Sequence, residues 1–220
     1  MSLVFNKDCM DVMRNLPDNY YDLAIADPPY GISANCTPYK KNVRHPRRNR
    51  LKDGSGKLKD RVLQRLDSDF DFNPPDDVFF TELFRVSKNQ IIWGGNYFSL
   101  PPTRGVICWD KVQPWLNFSQ WEFAWTSFDC PAKIFRYRNT GRKGDEKIHP
   151  TQKPVALYEW LLKTYAHEGE SIFDPMMGSQ SSRIAALKLG FDYTGCEIDK
   201  KFFNEGNERY KKFRDKYLIL

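Results

Sequence analysis

Short apolar runs recur along most of this 220-residue chain, separated by helix-like stretches, and this alternation constrains the fold more than any other feature. The runs that predict buried strands are residues 3–5, 22–26, 90–93, 105–109, 122–125, 171–173 and 193–196. Helices are predicted between them, over 8–16, 75–86, 155–165, 181–189 and 204–213. Strands that alternate with helices predict an α/β fold with a doubly wound, mainly parallel sheet. In such folds, ligands bind beyond the carboxyl ends of the strands.

Four residues with a specific chemistry, Asp27, Pro28, Pro29 and Tyr30, directly follow the second predicted strand. Proline has a fixed φ and no N–H, so Pro28-Pro29 is a rigid pair that offers only carbonyl acceptors. Asp27 and the Pro28 carbonyl can each accept one N–H of an exocyclic base amine, and Tyr30 can stack on the base. These contacts favour a methyl transfer to that nitrogen. The alternative is a proline-rich turn with aspartate as a turn former.

A second set of small and acidic residues follows the strand at 171–173. Asp174 opens the segment Asp-Pro-Met-Met-Gly-Ser-Gln-Ser-Ser, which leads into the helix at 181–189. Small residues allow the backbone to approach a ligand, and the free N–H groups of a helix start favour a carboxylate. Glu197 ends the next strand, 23 residues after Asp174, where an acid suits a ribose diol. Alone, this is a weak signal for a nucleotide site.

One stretch, residues 34–74, breaks the alternation. Between residues 40 and 65, eleven Lys and Arg residues are opposed by two aspartates, a balance of +9 against +6 for the whole chain. A long loop with this charge predicts contact with a polyanion, although a solvated surface loop is the simpler alternative. The predicted nucleic-acid contacts are Lys40, Lys41, Arg44, Arg47, Arg48 and Arg50, with Arg136, Arg138, Arg142 and Lys143 in a second basic loop over 133–147.

Together these segments resemble the amino-group DNA methyltransferases that use S-adenosylmethionine, in the circularly permuted order called the beta class. The resemblance is carried by residues 22–31, by 149–154 (His-Pro-Thr-Gln-Lys-Pro) and by 174–199. It implies one catalytic domain over residues 1–220, with 34–74 as a basic insertion that contacts DNA. It also implies that the strands ending at Asp27 and Asp174 are neighbours in the sheet.

The resemblance implies cofactor contacts at Asp8, Cys9, Lys153, Asp174, Met176, Gly178, Ser179, Ser181 and Glu197. Lys153 would lie near the methionine end of the cofactor and Asp8 near its adenine end. Each has a plainer alternative, because Asp8 is a good helix N-cap and Lys153 could be a solvated charge. The chain departs from the family pattern at Met176, usually Phe, and at Gln180, usually Gly. Methionine can cover an apolar ligand face, and Gln180 is harmless if its side chain points away.

Three further residues lie near these segments. Trp93 is expected to pack in the core. For Tyr97, a core position and a position lining the base pocket are both open. His149 is expected to be structural, because methylation of a flipped base needs no strong general base. The predicted catalytic residues therefore remain Asp27, Pro28, Pro29 and Tyr30.

Composition excludes several other classes. Five cysteines form no C-x-x-C pair and only three histidines are present, so a zinc site is not expected and a reducing compartment is. No apolar run is long enough for a membrane span, and no signal peptide is recognised. A net charge of +6 and a pI near 9.0 favour an anionic partner. We therefore expect a cytoplasmic protein.

The predicted function is methylation of an exocyclic amine in DNA, with the base flipped out of the duplex. Adenine is favoured because aspartate at the first position of the Asp27 segment resembles the adenine enzymes. The alternatives are cytosine N4, an RNA or a small aromatic amine, and a homologue that binds DNA without catalysis. The sequence leaves open the recognition site, a homodimer and a restriction endonuclease partner.

Overall fold

The computed structural model describes residues 1–31, 74–113, 119–138, 147–149 and 151–217. Within these ranges the strands are β1 (Ser2–Phe5), β2 (Tyr21–Ala26), β3 (Ser87–Trp93), β4 (Val106–Asp110), β5 (Trp121–Thr126), β6 (Lys133–Arg136), β7 (Ser171–Asp174) and β8 (Asp192–Cys196). The helices are α1 (Cys9–Met13), α2 (Asp77–Val86), α3 (Val155–Tyr165), α4 (Ser181–Leu189) and α5 (Lys200–Tyr217), with a 3₁₀ turn at Gly95–Tyr97. All predicted strands and helices are present, although α1 is shorter and α5 longer than predicted.

The described strands form one sheet in the order β1-β8-β7-β2-β3-β5-β4-β6. Pairing is parallel from β1 through to β3 and again between β4 and β6, whereas β5 is antiparallel to both of its neighbours. The predicted mainly parallel sheet is therefore confirmed. Because β5 runs the other way, its amino-terminal end lies at the edge where the parallel strands end.

Strands β2 and β7 are direct neighbours in this sheet. Leu23 pairs with Ile172 and Ala24 with Phe173, in parallel register. The pairing brings together segments that are far apart in the chain, as the resemblance implied. It places the ends of the two strands side by side, at the edge where a doubly wound sheet binds ligands.

Helices cover both faces of the sheet, and the side chains of β2 alternate between the two. Leu23 and Ile25 pack with residues of α3 and α4 in one buried cluster. Ala24 and Ala26 pack with residues of α1 and α2 in the other. Trp93 is fully buried in the first cluster, which confirms its predicted core position. The strands that deliver the site are thus fixed from both sides.

Two details differ from the sequence prediction. In the helix predicted over 75–86, the apolar residues Val78, Leu83 and Val86 would be expected to face inward, but Val78 is 51% exposed, because α2 begins at Asp77 and its buried stripe runs through Phe79, Phe80 and Leu83. The segment Lys133–Arg136, predicted as part of a loop, is strand β6, which pairs with β4 at the sheet edge. Four residues with one charge at each end carry too little pattern to identify a strand.

Some predictions fall outside the described residues. These are the contacts at Lys40, Lys41, Arg44, Arg47, Arg48, Arg50, Arg142 and Lys143. No helix in the described ranges combines the length and the apolar character that a membrane crossing requires.

Candidate active site

A cleft of about 800 Å³, here called the central cleft, opens at the carboxyl edge of the sheet. Its walls come mainly from residues that directly follow β1, β2, β7 and β8, and this volume is typical of small-molecule sites. The predicted residues that line it are Asp27, Pro28, Pro29 and Tyr30, together with Asp8, Cys9, Lys153, Met176, Gly178, Ser179 and Glu197. The fold therefore brings both predicted groups to one place.

Asp27 and Tyr30 are linked directly. The Tyr30 hydroxyl donates a hydrogen bond of 2.8 Å to Asp27 Oδ1, and the Tyr30 ring stacks on Tyr97 with centroids 5.1 Å apart. Gly94 makes this possible, because a Cβ there would lie 2.2 Å from the Tyr30 ring. Burial and the Asp27 carboxylate raise the pKa of Tyr30 well above its usual value, so the hydroxyl remains a donor. Tyr97 is half exposed and backs Tyr30, so it is not a core residue.

Lys153 occupies the centre of a buried charge network. Its Nζ lies 2.5 Å from Asp27 Oδ1 and 3.2 Å from Glu122 Oε2. A second lysine, Lys111, lies 2.5 Å from Glu122 Oε1. The Lys153 ammonium also sits 5.1 Å from the centroid of the Trp93 ring, within cation–π range. Lys153 is therefore not the solvated charge of the plainer alternative.

Burial and charge oppose each other in this network. Burial raises the pKa of Asp27 above its ordinary value, and the nearby Lys153 ammonium partly offsets that rise. Burial alone would lower the pKa of Lys153, but the Asp27 and Glu122 carboxylates outweigh it and raise that pKa. For Glu122, the two lysines outweigh burial and hold the pKa below its usual value.

Glu122 is the site residue that sequence reasoning missed. It lies on β5, whose reversed direction carries it to the carboxyl edge of the sheet. On the strand it shares a face with Ala124, which packs beside Trp93 in the cluster that contains α3. An acidic residue within an apolar strand was the available signal, but its partner Lys153 could not be identified without the topology.

The loop after β7 is bound to the end of β8 through Glu197. The Gly178 N–H donates to Glu197 Oε2 at 2.9 Å, and the Asp199 N–H donates to Oε1 at 2.9 Å. Gly178 has a φ of +45°, which favours glycine. Burial raises the pKa of Glu197, although the two N–H donors oppose that rise. The loop thus presents a glycine and an acid to the central cleft.

The model of a family described as DNA methylase matches residues 39–208, well over half of the chain. The chain belongs to this family. Family members take the methyl group from S-adenosylmethionine, which confirms the predicted cofactor.

Similar proteins agree with this assignment. The type II methyltransferase M2.MboI of Moraxella bovis is 25% identical over 246 residues, which cover 94% of this chain and 86% of that protein. The type II methyltransferase M.BglII of Bacillus subtilis is 23% identical and covers 92% of this chain and 67% of its own length.

Solved structures share the fold. The crystal structure of the M1.HpyAVI–SAM complex has a TM-score of 0.58 at 17% identity, covering 95% of this chain and 98% of that one. The cytosine-N4-specific PvuII DNA methyltransferase has a TM-score of 0.59 at 13% identity, covering 97% and 90%. The DNA methyltransferase described here therefore has the Rossmann-like fold of these enzymes.

Two predicted cofactor residues of this enzyme are absent from the cleft lining. Asp174 is 2% exposed, and its carboxylate accepts bonds from the Met176 N–H at 3.0 Å and the Ser182 hydroxyl at 2.5 Å. Burial raises the pKa of Asp174 to about 7. Ser181 is also buried, and its Oγ receives a 3.1 Å bond from Arg209. Both side chains shape the loop from behind.

Gln180, the departure from the family loop, points away from the cleft. It has a φ of 60°, is fully buried, and its Nε2 donates to the Phe203 carbonyl and to Asn207 on α5. Gly206 of α5 provides the space, because a Cβ there would lie 2.7 Å from Gln180 Nε2. From the sequence, Gln180 was expected to leave cofactor binding unaffected if its side chain points away from the ligand, and this is the orientation observed.

Asp8 and His149 both line the central cleft while making local contacts. Asp8 caps α1 by accepting a 2.9 Å bond from the Met10 N–H, so both of its alternatives are compatible with its position. The His149 ring meets the Phe202 ring edge-on at 4.3 Å. Burial, helped by the Lys153 ammonium, lowers the pKa of His149 to about 4, so the imidazole is neutral at neutral pH.

The described basic residues lie at the sheet edge. Arg136 on β6 is largely exposed and sits 3.3 Å from Asp110, while Arg138 follows the strand and is exposed. Their exposure is compatible with the predicted phosphate contacts. Among the described residues, no group of three or more His, Cys, Asp or Glu side chains is arranged to hold a metal ion.

Proposed function

We propose that this DNA methyltransferase transfers a methyl group from S-adenosylmethionine to the exocyclic N6 amine of adenine in duplex DNA. The observation that supports this most directly is the shared location of two residue groups. Asp27–Tyr30 and the loop that ends at Gln180 follow the neighbouring strands β2 and β7 and open on the same cleft. A base flipped out of the duplex would reach Asp27 there.

The central cleft fits the cofactor. Glu197 accepts one N–H on each oxygen, and a carboxylate has about four lone-pair sites, so acceptor capacity remains for a ribose diol. Gly178 and Met176 would cover the neighbouring part of the ligand, and Asp8 and Cys9 the adenine end. Burial raises the pKa of the Cys9 thiol, which therefore stays neutral beside the ligand. When bound, S-adenosylmethionine supplies a methyl group on a sulfonium whose sulfur leaves as a neutral thioether.

The chain's own residues position the acceptor amine. Asp27 accepts one amine N–H, the Pro28 carbonyl accepts the other, and both favour a pyramidal nitrogen with its lone pair directed at the methyl carbon. The amine nitrogen would form the new N–C bond as the bond from the methyl carbon to sulfur breaks, with that electron pair retained by sulfur. The alkylated nitrogen then loses one proton, which passes to solvent. Tyr30, held by Tyr97, stacks against the base.

The choice of base separates two closely related activities. Asp27 at the first motif position supports adenine, as in the adenine enzymes that the sequence resembles. Cytosine N4 is the second candidate, because the PvuII enzyme of similar fold is cytosine-N4-specific. Both amines present the same two N–H groups to Asp27 and the Pro28 carbonyl. Product analysis therefore decides between them.

Duplex DNA is the proposed substrate. The basic stretch at 40–65 and the exposed Arg136 and Arg138 would contact phosphates, while the target base enters the central cleft. Cytoplasmic localisation is proposed with this function, since the substrate is the DNA of the cell.

The test compares wild type with Asp27→Asn, using tritiated cofactor and either duplex DNA or RNA, followed by digestion to nucleosides. We expect label in N6-methyladenine from DNA and a fall in turnover of roughly 100-fold or more for the variant, the scale of a lost transition-state contact. Cofactor affinity by calorimetry should stay within a few fold, because the amide retains the shape of the carboxylate.

Asp22→Asn is the matched control, since Asp22 lies near the start of β2 and pairs with Lys88 far from the cleft. It should keep wild-type turnover. Label in N4-methylcytosine would overturn the choice of base, and label in RNA alone would overturn the choice of substrate. An Asp27→Asn enzyme that retains more than about a tenth of wild-type turnover, a loss below ~1.4 kcal/mol, would remove Asp27 from catalysis.

A further inference from the structure

The Lys153 ammonium has three acceptors close to it, and none belongs to the cofactor loop. They are Asp27 Oδ1 at 2.5 Å, Glu122 Oε2 at 3.2 Å and the Tyr30 hydroxyl at 3.4 Å. An ammonium has three hydrogens to donate, so these contacts use its capacity. The Tyr30 hydroxyl in turn donates to the same Asp27 oxygen. Within the described residues, both contacts to Asp27 reach Oδ1, which leaves Oδ2 for another donor.

We propose that Lys153 is a positioning residue that fixes the charge and orientation of the Asp27 carboxylate, and that Glu122, anchored by Lys111, holds Lys153 in place. This inference rests on the proposed function, in which Asp27 receives the target amine. It replaces the contact to the methionine end of the cofactor that the family resemblance implied for Lys153. In this arrangement the amine approaches Oδ2 while Oδ1 remains occupied.

The network alternates in charge along its length. Lys111, Glu122, Lys153 and Asp27 follow one another with contacts of 2.5, 3.2 and 2.5 Å. Two cations therefore balance two partly buried carboxylates, and no member can be removed without leaving an unbalanced neighbour. Because β5 is antiparallel to β3, its amino-terminal end carries Glu122 to the edge of the sheet where Lys153 meets Asp27. The amine-binding carboxylate is thus held by side chains from three separate segments of the chain.

Other titratable side chains of the described residues face Asp27 or its partner Lys153. They include Tyr158 on α3, Asp174 at the end of β7 and His149 beside Lys153. These three residues are the same in wild type and in the variants below. Differences between the variants and wild type therefore report on Lys153 and Glu122.

The experiment measures the pH dependence of turnover in wild type, Lys153→Met, Lys153→Arg and Glu122→Gln. Asp27 must be ionised, so turnover falls as pH drops through its pKa. Lys153→Met removes the cation and should move this acid limb to higher pH by about one unit or more. Glu122→Gln removes a neighbouring negative charge and should move the limb the opposite way. Lys153→Arg keeps the charge and should keep the wild-type limb.

Two further measurements do not depend on turnover. Carboxyl ¹³C NMR of aspartate-labelled enzyme, with Asp27 assigned by its absence in Asp27→Asn, should show the same pair of opposite shifts. Calorimetry should give S-adenosylmethionine affinities within a few fold of wild type for all variants. Lys88→Met, which breaks the ion pair with Asp22 at the far end of β2, is the matched control and should change neither the limb nor the affinity.

A large loss of cofactor affinity in Lys153→Met with an unmoved Asp27 titration would overturn the inference and return Lys153 to the cofactor. If Lys153→Met does not fold, the test rests on Glu122→Gln, in which the acid limb of the turnover profile should move to lower pH. An unmoved limb in Glu122→Gln would then overturn the inference. If Asp27→Asn is inactive but the acid limbs of Lys153→Met and Glu122→Gln do not move, only this inference is refuted. A fully active Asp27→Asn enzyme refutes the proposed function itself.

Discussion

Two carboxylates, Asp27 and Asp174, lie at the ends of the adjacent strands β2 and β7 and differ in their binding partners and in their access to the central cleft. Asp27, after β2, is held by the Lys153 ammonium and lines the central cleft. Among the described residues, Asp174 at the end of β7 accepts hydrogen bonds from the Ser182 hydroxyl and the Met176 N–H, and it does not line the cleft. Burial raises the pKa of both carboxyl groups; the Lys153 ammonium opposes that rise at Asp27, whereas two neutral hydrogen-bond donors oppose it at Asp174. The first arrangement suits contact with a reacting group, and the second suits a scaffold.

The largest expected effect comes from the basic stretch at 40–65, where substitutions should affect DNA binding and leave cofactor binding at the end of β7 unchanged. Replacing Arg44, Arg47, Arg48 and Arg50 with alanine should weaken DNA binding and leave cofactor binding unchanged. Each lost phosphate contact reduces the slope of log affinity against log salt by about 0.9, so the slope should flatten by up to roughly four contacts. Fluorescence anisotropy on a duplex, over a roughly 4-fold range of salt concentration, measures this slope.

The matched variant carries alanine at Arg136 and Arg138, which should flatten the slope by no more than about two contacts. Wild-type affinity and slope in the quadruple variant would show that the stretch at 40–65 is not the DNA clamp. The two arginines at the β6 edge would then be the next candidates.

Cofactor affinity tests the β7 end directly. Gly178→Val adds a branched side chain at a φ of +45°, and Glu197→Ala removes the acceptor of two loop N–H groups. Glu197→Ala should weaken S-adenosylmethionine binding by roughly 10- to 100-fold, since a lost hydrogen bond to a charged group is worth ~1.5–3 kcal/mol. Gly178→Val should weaken it because a β-branched side chain is strained at this φ and blocks close approach of the backbone. Calorimetry gives the affinities and circular dichroism checks the fold. Unchanged affinity in both variants would place the cofactor elsewhere.

The smallest expected effect is on the pH dependence of stability, which Asp174 and Asp22 should change in opposite directions. The raised folded pKa of Asp174, about 7, means that its contribution to stability is present at low pH and is lost as pH rises toward 7. Asp174→Asn should remove this loss and flatten the dependence between about pH 4 and 7. Urea unfolding at several pH values measures it.

Asp22 provides the opposite sign. The Lys88 ammonium and Ser171 lower the pKa of Asp22, so its contribution is present above its usual pKa and lost in acid. Asp22→Asn should therefore reduce stability at neutral pH and have little effect in strong acid. The same sign in both variants would contradict the difference between paired and unpaired carboxylates.

Much of the fold was predictable because the strands of this sheet are buried on both faces and appear as apolar runs. The motifs at Asp27 and Asp174 were also predictable, since each follows such a run and their order resembles a known family. Glu122 was not, because its role depends on an antiparallel strand that aligns it with Lys153. The contacts of Lys153 with Asp27 and Glu122 were not predicted for the same reason, and β6 was missed because it is held mainly by pairing with β4.

The contact between the loop and α5 has a consequence for the order in which the protein becomes competent during synthesis. Arg209 donates a 2.7 Å bond to the Ser179 carbonyl, and Gln180 is tied to Phe203 and Asn207, so α5 supports the loop from behind. On the ribosome, both motifs emerge before this helix. A nascent chain that already carries Asp27 and Asp174 would still lack the support that shapes its cofactor loop, and α5 must dock before the methyl donor is held.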